Sequence, residues 1–364
     1  MTIGVDVSKD FLVWCERDGH TRSLANSAKA VKQFLSAIPP DAIIAMEATG
    51  EYHRLLADTA YSRGFRVYVF NPKDVNRYAK SISPRASTDP IAARVIAEFA
   101  SVRKHRLYTP APAFADKLKK LVRTRAGLVK QRVALADQAG QHSDIASYLH
   151  TAIASIKNSV AKLDREIVKV ASSLPEFKLL VKVPGFGELS AAYMAAMLAS
   201  GEFRRSDSFV AFIGLDLRVR ESGKFKGKRK LSKRGDPEAR RLLYLAALAA
   251  SQQQGPFSYL RARYLERGFT KTEAAVFIAR KLARVAWAIY TKHQPYDPHR
   301  VLNQPSAKSS TDPRHKSAIT YTAANVVDKQ IANTALARAR SARFHNNRKG
   351  AKHKSRSTCV AGGS

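Results

Sequence analysis

IGVDV, residues 3–7, decides how the first third of the chain reads. It is a short strand with apolar neighbours, yet a carboxylate, Asp6, sits near its end. A buried carboxylate is costly unless something pairs with it. Outward from this strand, FLVWCE (11–16) forms a hairpin partner across the polar SKD turn, and TRSLAN (21–26) is a third strand. AVKQFLSAI (30–38) has helical spacing. AIIAMEAT (42–49) is a continuous apolar run ending in Glu47, the pattern of a buried central strand. RLLADTAYSRG (54–64) reads as a helix stopped by Gly64, and RVYVFN (66–71) as a fifth strand. VNRYAKSIS (75–83) and DPIAARVIAEFA (89–100) read as helices. The expected product is a mixed sheet with helices on its faces, an α/β unit over residues 1–105.

The rest reads as all-α. Residues 106–175 form a helical segment with one regular stripe: Ile153, Ile156, Val160, Leu163, Ile167, Val170 and Leu174 alternate in steps of three and four. That is an a/d seam. It serves either packing within its own domain or a homo-oligomeric coiled coil, a dimer or tetramer, through residues 150–175. Residues 176–304 form a further, mostly helical domain interrupted by a basic loop. The tail, 305–364, has little periodicity; residues 301–364 carry 12 Lys and Arg against 2 Asp and Glu. It reads as a disordered, non-specific nucleic-acid-binding segment.

Across all 364 residues, 63 Lys and Arg face 29 Asp and Glu, a formal net charge of +34. That excess calls for a polyanionic partner, nucleic acid before any membrane surface. No apolar run approaches the length of a membrane span, and the chain opens on a strand rather than a signal peptide. Cys15 and Cys359 lie far apart with no His-rich company, which argues against a disulfide scaffold or a zinc site. A cytoplasmic, nucleoid-associated bacterial protein is expected.

Three carboxylates stand out in so basic a chain: Asp6, Glu47, and Asp89, which starts the helix in STDPIAARVIA. If the first and fourth strands are neighbours, Asp6 and Glu47 converge, and a crossing helix adds Asp89. Such a cluster repels itself unless a metal holds it. Oxygen donors suit Mg²⁺ or Mn²⁺, and paired divalent ions support phosphodiester chemistry. Singly, each residue has a plainer role: Asp6 capping a turn, Glu47 facing solvent, Asp89 capping a helix before Pro90. Actin-like ATPases share the strand motif, but they need a second Gly-rich phosphate loop that this sequence lacks.

Two further features point to nucleic acid. VPGFG (183–187) precedes a helix, and a turn through Gly185 and Gly187 suits a phosphate oxygen, as in helix-hairpin-helix modules. Eleven basic residues fall between Asp216 and Arg241, among them Arg218, Arg220, Lys224, Lys228, Lys230, Lys233 and Arg234. They form a phosphate-contacting surface. Ser222, beside Gly223, is a candidate nucleophile there. Ser232 is its equal on chemistry alone.

In this order, IGVDVSK, MEATGEYH, VFNPKDVNRYAKS, STDPIAARVIAEF, VPGFG, FVAFIGLDLRVRESG and KLSKRGDPEARRLLY resemble the insertion-sequence transposases of the one-hundred-and-ten family. These are the DEDD recombinases guided by a bridge RNA. The resemblance covers residues 2 to about 300. It implies a ribonuclease-H-like, RuvC-like catalytic domain, a coiled-coil segment and a C-terminal transposase domain, working as multimers on element-end and target DNA. A structured guide RNA would specify both sites. The family's acids fall on Asp6, Glu47 and Asp89, which would hold Mg²⁺; its nucleophilic serine falls on Ser222, which would form a phosphoserine with DNA in a composite active site.

One departure matters. The family's third motif is Asp-x-x-Asp, two acids at i and i+3 on one helix face; here the second is Ala92. Glu98 lies on the opposite helix face and does not replace it. Either Ala92 marks a knockout, degenerate or engineered, or three acids suffice with DNA oxygens and water. Two rivals follow: a metal-dependent junction nuclease that does not use Ser222, and a non-catalytic nucleic-acid-binding relic.

Overall fold

In the computed structural model the strand at the start of the chain is the middle of a five-stranded sheet. The structure describes residues 1–16, 20–82, 88–102, 105–142, 144–218, 221–222, 225–226 and 230–302, and it describes no side chains between 219 and 229. The predicted tail, and the predicted contacts at Arg220, Lys224 and Lys228, lie outside the described residues. Contacts group Met1–Gln304 into one unit.

The sheet is built from β1 (Thr2–Val7), β2 (Phe11–Glu16), β3 (Arg22–Ala25), β4 (Ile43–Glu47) and β5 (Arg66–Phe70), with α1 (Ala28–Ala37) before β4 and α2 (Arg54–Ser62) before β5. Its order is β3-β2-β1-β4-β5. β1–β2 and β2–β3 are antiparallel, while β1–β4 and β4–β5 are parallel. Alternation sorts the side chains. Ile3, Val5, Val7, Ile44 and Met46 join Val31, Phe34, Leu56 and Ala60 in a core under α1 and α2. Ala45, Tyr68 and Phe70 pack on the other face with Val75, Ile96 and Phe99. Those come from α3 (Pro72–Ile82), which begins three residues before the predicted helix, and from α4 (Asp89–Val102).

α5 (Ala113–Gln141) and α6 (Ala146–Ala171) form a long hairpin. Within this single chain α6 lies along α5, and Val160 and Ile167 of the a/d stripe are buried. Leu118 and Val122 of α5, with Ile167 and Ala171 of α6, belong to the core of the helices that follow, so the hairpin is rooted in that core.

The third region contains α7 (Pro175–Leu180), α8 (Glu188–Ala199), α9 (Ser206–Phe212), α10 (Pro237–Gln252), α11 (Pro256–Glu266), α12 (Lys271–Lys292) and α13 (Pro298–Leu302). α8 is apolar on all sides, with every residue from Ser190 to Leu198 buried, as a central helix must be. The basic segment between α9 and α10 departs from a plain loop. Its described residues include four two-residue strands: β6 (Leu217–Arg218) pairs with β9 (Lys230–Leu231), and β7 (Glu221–Ser222) with β8 (Phe225–Lys226). Among the described residues, no helix is long and apolar enough to cross a membrane.

Candidate active site and nucleic-acid interface

Glycine at position 4 sets the geometry of the acidic site. Gly4 and Asp6 point away from the Ile3–Val5–Val7 core, toward α4. A Cβ on Gly4 would meet the Ala93 carbonyl oxygen at 2.1 Å and the Ala97 nitrogen at 2.4 Å, so α4 rides directly on the β1 backbone. Asp89, Ala93 and Ala97 are four residues apart, one stripe of that helix. With Ala93 and Ala97 over Gly4, Asp89 comes over the end of β1 that carries Asp6. The parallel register pairs Val5 with Met46, which puts Asp6 level with Glu47 on the same face.

The electrostatics agree. Burial raises the Asp6 carboxyl above its ordinary pKa, and the Asp89 charge raises it further, while the Val7 amide works the other way. Glu47 is raised by burial and then by Asp6. Asp6 thus feels the charge of Asp89, and Glu47 that of Asp6. Among the described residues, however, no three His, Cys, Asp or Glu side chains gather closely enough to bind a metal. The chemistry of the set still fits a hard divalent cation: the donors are all carboxylate oxygens and their charges are uncompensated by one another. Ala92, one turn from Asp89 and half-buried, adds no donor. Glu98 accepts a hydrogen bond from Tyr78 of α3 at 2.8 Å.

Asn26 holds the loops at this end. Its Nδ2 donates to the carbonyls of Ser8 at 2.9 Å and Tyr52 at 3.2 Å, tying the turn after Asp6 to the turn after Glu47. No motif marks it beyond a polar residue closing a strand.

The two candidate serines part company. Ser222 lies in β7, its backbone opposite Phe225 of the antiparallel β8. Ser232 is buried, its hydroxyl donating to the Asp216 carboxylate while its backbone N–H donates to the Asp216 carbonyl at 2.9 Å. Ser232 thus closes the base of the basic segment. Gly214 and Gly235 close it too: a Cβ on Gly235 would meet the Phe212 carbonyl oxygen at 2.1 Å, and Arg240 donates to the carbonyls of Ile213 and Gly235 at 3.1 and 2.7 Å. Arg218, Lys230 and Lys233 are exposed, with Arg218 opposite Lys230 across β6–β9. Arg234 instead pairs with Asp74 of α3 at 3.3 Å.

The turn at 183–187 is partly committed to packing. Gly185 has φ +85°, and a Cβ there would meet the Ala246 carbonyl oxygen of α10 at 2.1 Å. The Gly187 amide donates to Ser190 Oγ at 3.0 Å. These contacts occupy Gly185 and the Gly187 amide that the sequence reading assigned to phosphate; Gly187 itself remains exposed.

A junction between the sheet and the helical core was not foreseen. Arg123 of α5 donates to Asp236 at 2.5 Å and reaches Glu51, just past β4, at 4.0 Å. Asp236 caps α10 through the Ala239 amide at 2.8 Å and accepts from Tyr193 at 3.1 Å. The Asp-Pro pair at the start of α10 signals the cap, but nothing local signals Arg123.

Residues 3–146 match a transposase family model of the DEDD IS110 type, and residues 177–264 match a second, described as transposase, IS116/IS110/IS902 family. The chain is 27% identical over 263 residues to a pilin gene-inverting protein of Moraxella lacunata, covering 69% of this chain and 81% of that one. It is 26% identical over 328 residues to the transposase for insertion sequence element IS1328 of Yersinia enterocolitica, covering 80% and 96%. The transposase for element IS1111A of Coxiella burnetii is 24% identical over 336 residues, covering 81% and 90%.

Proposed function

Because the chain belongs to the IS110 family of insertion-sequence transposases, we propose that it recombines DNA through Ser222, assisted by Asp6, Glu47 and Asp89. One observation carries this reading. The base of the Ser222 segment is held at the sheet edge that bears the acids: Arg234 pairs with Asp74, just past β5, and Arg123 joins Asp236 to Glu51, just past β4. The parallel strands β1, β4 and β5 all end at that edge.

The chemistry balances as a transesterification. Ser222 Oγ attacks a phosphorus of one strand; the serine–phosphorus bond forms as a bridging P–O bond breaks. The released strand oxygen takes up a proton, and the serine proton passes to solvent or to a neighbouring carboxylate. A hydroxyl of the exchanging strand later attacks the phosphoserine and restores the serine. Arg218, Lys230 and Lys233, with Arg220, Lys224 and Lys228, hold the phosphates, and Asp6, Glu47 and Asp89 would hold Mg²⁺ or Mn²⁺. When bound, such an ion supplies charge stabilisation at the phosphoryl oxygens. A structured RNA choosing target and donor, and multimers through the α5–α6 hairpin, belong to the same reading. The inversion named for the Moraxella relative is compatible with it, since cutting and rejoining with retained bond energy inverts a segment as readily as it moves one.

Ala92 favours a second reading, a binding protein that has lost its chemistry. The test is a search for detergent-resistant protein–DNA adducts with Mg²⁺, element-end DNA and RNA transcribed from the element's flanks. An adduct that Ser222→Ala abolishes supports the recombinase. Adducts only with Ala92→Asp mean an intact scaffold with a disabled acid set. No adduct from either protein favours the binding reading, and strand cleavage that survives Ser222→Ala favours a junction nuclease.

A further inference from the structure

A cleft at the C-terminal end of α12 is not used by the chemistry above. It lies between Lys281–Lys292 of α12, the 294–297 turn and α13, with a volume of about 150 Å³. A cavity of roughly this size accommodates one benzene-sized ring. Its walls are Ile289, Pro295, Tyr296 and the half-buried Ala288. Lys281, Arg284, Lys292 and Arg300 surround it, with Asp297 the single acid of the lining. Asp297 is bound by Arg300 at 3.3 Å, and Arg284 is paired with Asp207 at 2.8 Å. Charge in the cleft is therefore net positive.

Two groups there are held at a cost. Burial and the neighbouring Arg284 push the Lys281 ammonium pKa down. Tyr296 Oη is buried with no hydrogen-bond partner among the described residues. Burial and Asp297 push its pKa up to about 12, so it keeps its proton and is a donor at neutral pH. An unmade buried hydrogen bond is expensive; Tyr296 lines the cleft, and a turn of its ring that brings Oη to a ligand acceptor would relieve it.

A flat ring, an acceptor for a phenol and a negative charge describe one ligand class. We propose that this cleft seats a single unstacked nucleotide of the bound nucleic acid, its base in the cavity against Ile289 and Tyr296, its phosphate on Lys281 and Lys292. The inference rests on the nucleic-acid reading above. Bases turned out of a stack are read in this way, by an apolar or aromatic seat with backbone cations beside it. The volume suits a six-membered ring, so pyrimidines are preferred over purines.

The test uses the full chain and pyrimidine oligonucleotides of about 12 residues, within the site size of a single-strand binder, carrying 5-iodouracil as DNA or as RNA. After irradiation, adducts are mapped by mass spectrometry. The expected result is an adduct on the peptide containing Tyr296; the arm that gives it tells whether DNA or RNA occupies the cleft. Ala288→Phe fills the cavity and is expected to lower that adduct about tenfold or more, the worth of one seated base, while adducts elsewhere persist. If Ala288→Phe fails to fold, Lys292→Glu at an exposed position replaces it, with the same expectation. Adducts elsewhere but none at residues 294–301 overturn the proposal and leave the nucleic-acid reading intact. A Tyr296 adduct unchanged in the folded variant also overturns it. No adduct anywhere removes both.

Discussion

A Cβ on Gly4 would stand 2.1 Å from the carbonyl oxygen of Ala93. This contact sets how closely α4, and with it Asp89, approaches Asp6. The first prediction follows. Gly4→Ala forces α4 off the sheet, at a cost of about 1–3 kcal/mol for overpacking, since backbone atoms cannot rotate aside. Urea unfolding measures it. Because α4 carries Asp89, the proposed chemistry predicts that the variant also loses cleavage activity out of proportion to its stability. A Gly4→Ala protein with wild-type unfolding midpoint means α4 is not seated as described.

Asp6 and Glu47 give the second. Both carboxyls have folded-state pKa values raised by burial and by acidic neighbours, Asp89 for Asp6 and Asp6 for Glu47. A raised acid keeps its proton longer in the folded state, so stability falls as pH rises from the unfolded value near 4 through the folded value. Above that window the ionised cluster is a standing cost. Asp6→Asn is expected to raise the metal-free Tm at pH 7 by about 2 °C and to change it little at pH 3. Added Mg²⁺ stabilises the wild type through binding linkage and stabilises Asp6→Asn less. Equal Mg²⁺ responses would place the metal elsewhere.

The sheet was legible because its signals are local. Period-two runs, the continuous apolar AIIAM and the stop at Gly64 each report on their own neighbours, and the structure follows them closely. The pairing of Asp6 with Glu47 was legible too, since an apolar run ending in an acid has few places to go. The requirement for glycine at position 4 was not, because it depends on the Ala93 backbone nearly ninety residues away. The a/d stripe of α6 shows a different limit: periodicity states that a face packs, not against what, and within this chain α5 lies along α6 while Ile153, Ile156, Leu163 and Val170 stay half-buried. The turn at Gly185 reads like a phosphate cradle, yet α10 packs on it. Arg123 was invisible because its partners, Glu51 and Asp236, lie far from it in sequence.

That junction carries the third prediction. The Asp236 carboxylate is buried, which alone would raise its pKa; hydrogen bonds from Arg123, the Ala239 amide and Tyr193 hold it below the ordinary range instead. An acid with a depressed folded-state pKa contributes stability above the unfolded value near 4 and loses it as pH falls through the folded value. Arg123→Met leaves that carboxylate without its cation. The expected loss is about 2 kcal/mol at pH 7, below the figure for a fully buried pair because Arg123 is half exposed. In Asp236→Asn the acid-limb dependence shrinks. An unchanged acid limb would mean Asp236 is not the group being titrated.

The last prediction separates two kinds of cation at the base of the Ser222 segment. Arg218, Lys230, Lys233 and Arg234 are all exposed, but Arg234 is paired with Asp74 at 3.3 Å. A cation that meets a phosphate releases a counterion when nucleic acid binds, so each such contact steepens the dependence of log affinity on log salt by about 0.7 to 0.9. Lys230→Ala and Lys233→Ala should each lower that slope by about one contact and weaken binding to any sequence. Arg234→Ala should leave the slope nearly unchanged, because that guanidinium is already neutralised by protein. It should instead lower the rate of adduct formation at saturating DNA, since the segment bearing Ser222 loses its tie to the sheet. Titrations at several salt concentrations give the slopes, and single-turnover adduct assays give the rate. If Arg234→Ala flattens the slope as the lysine variants do, Arg234 leaves Asp74 for DNA, and the tie between the serine segment and the acid-bearing edge opens on binding.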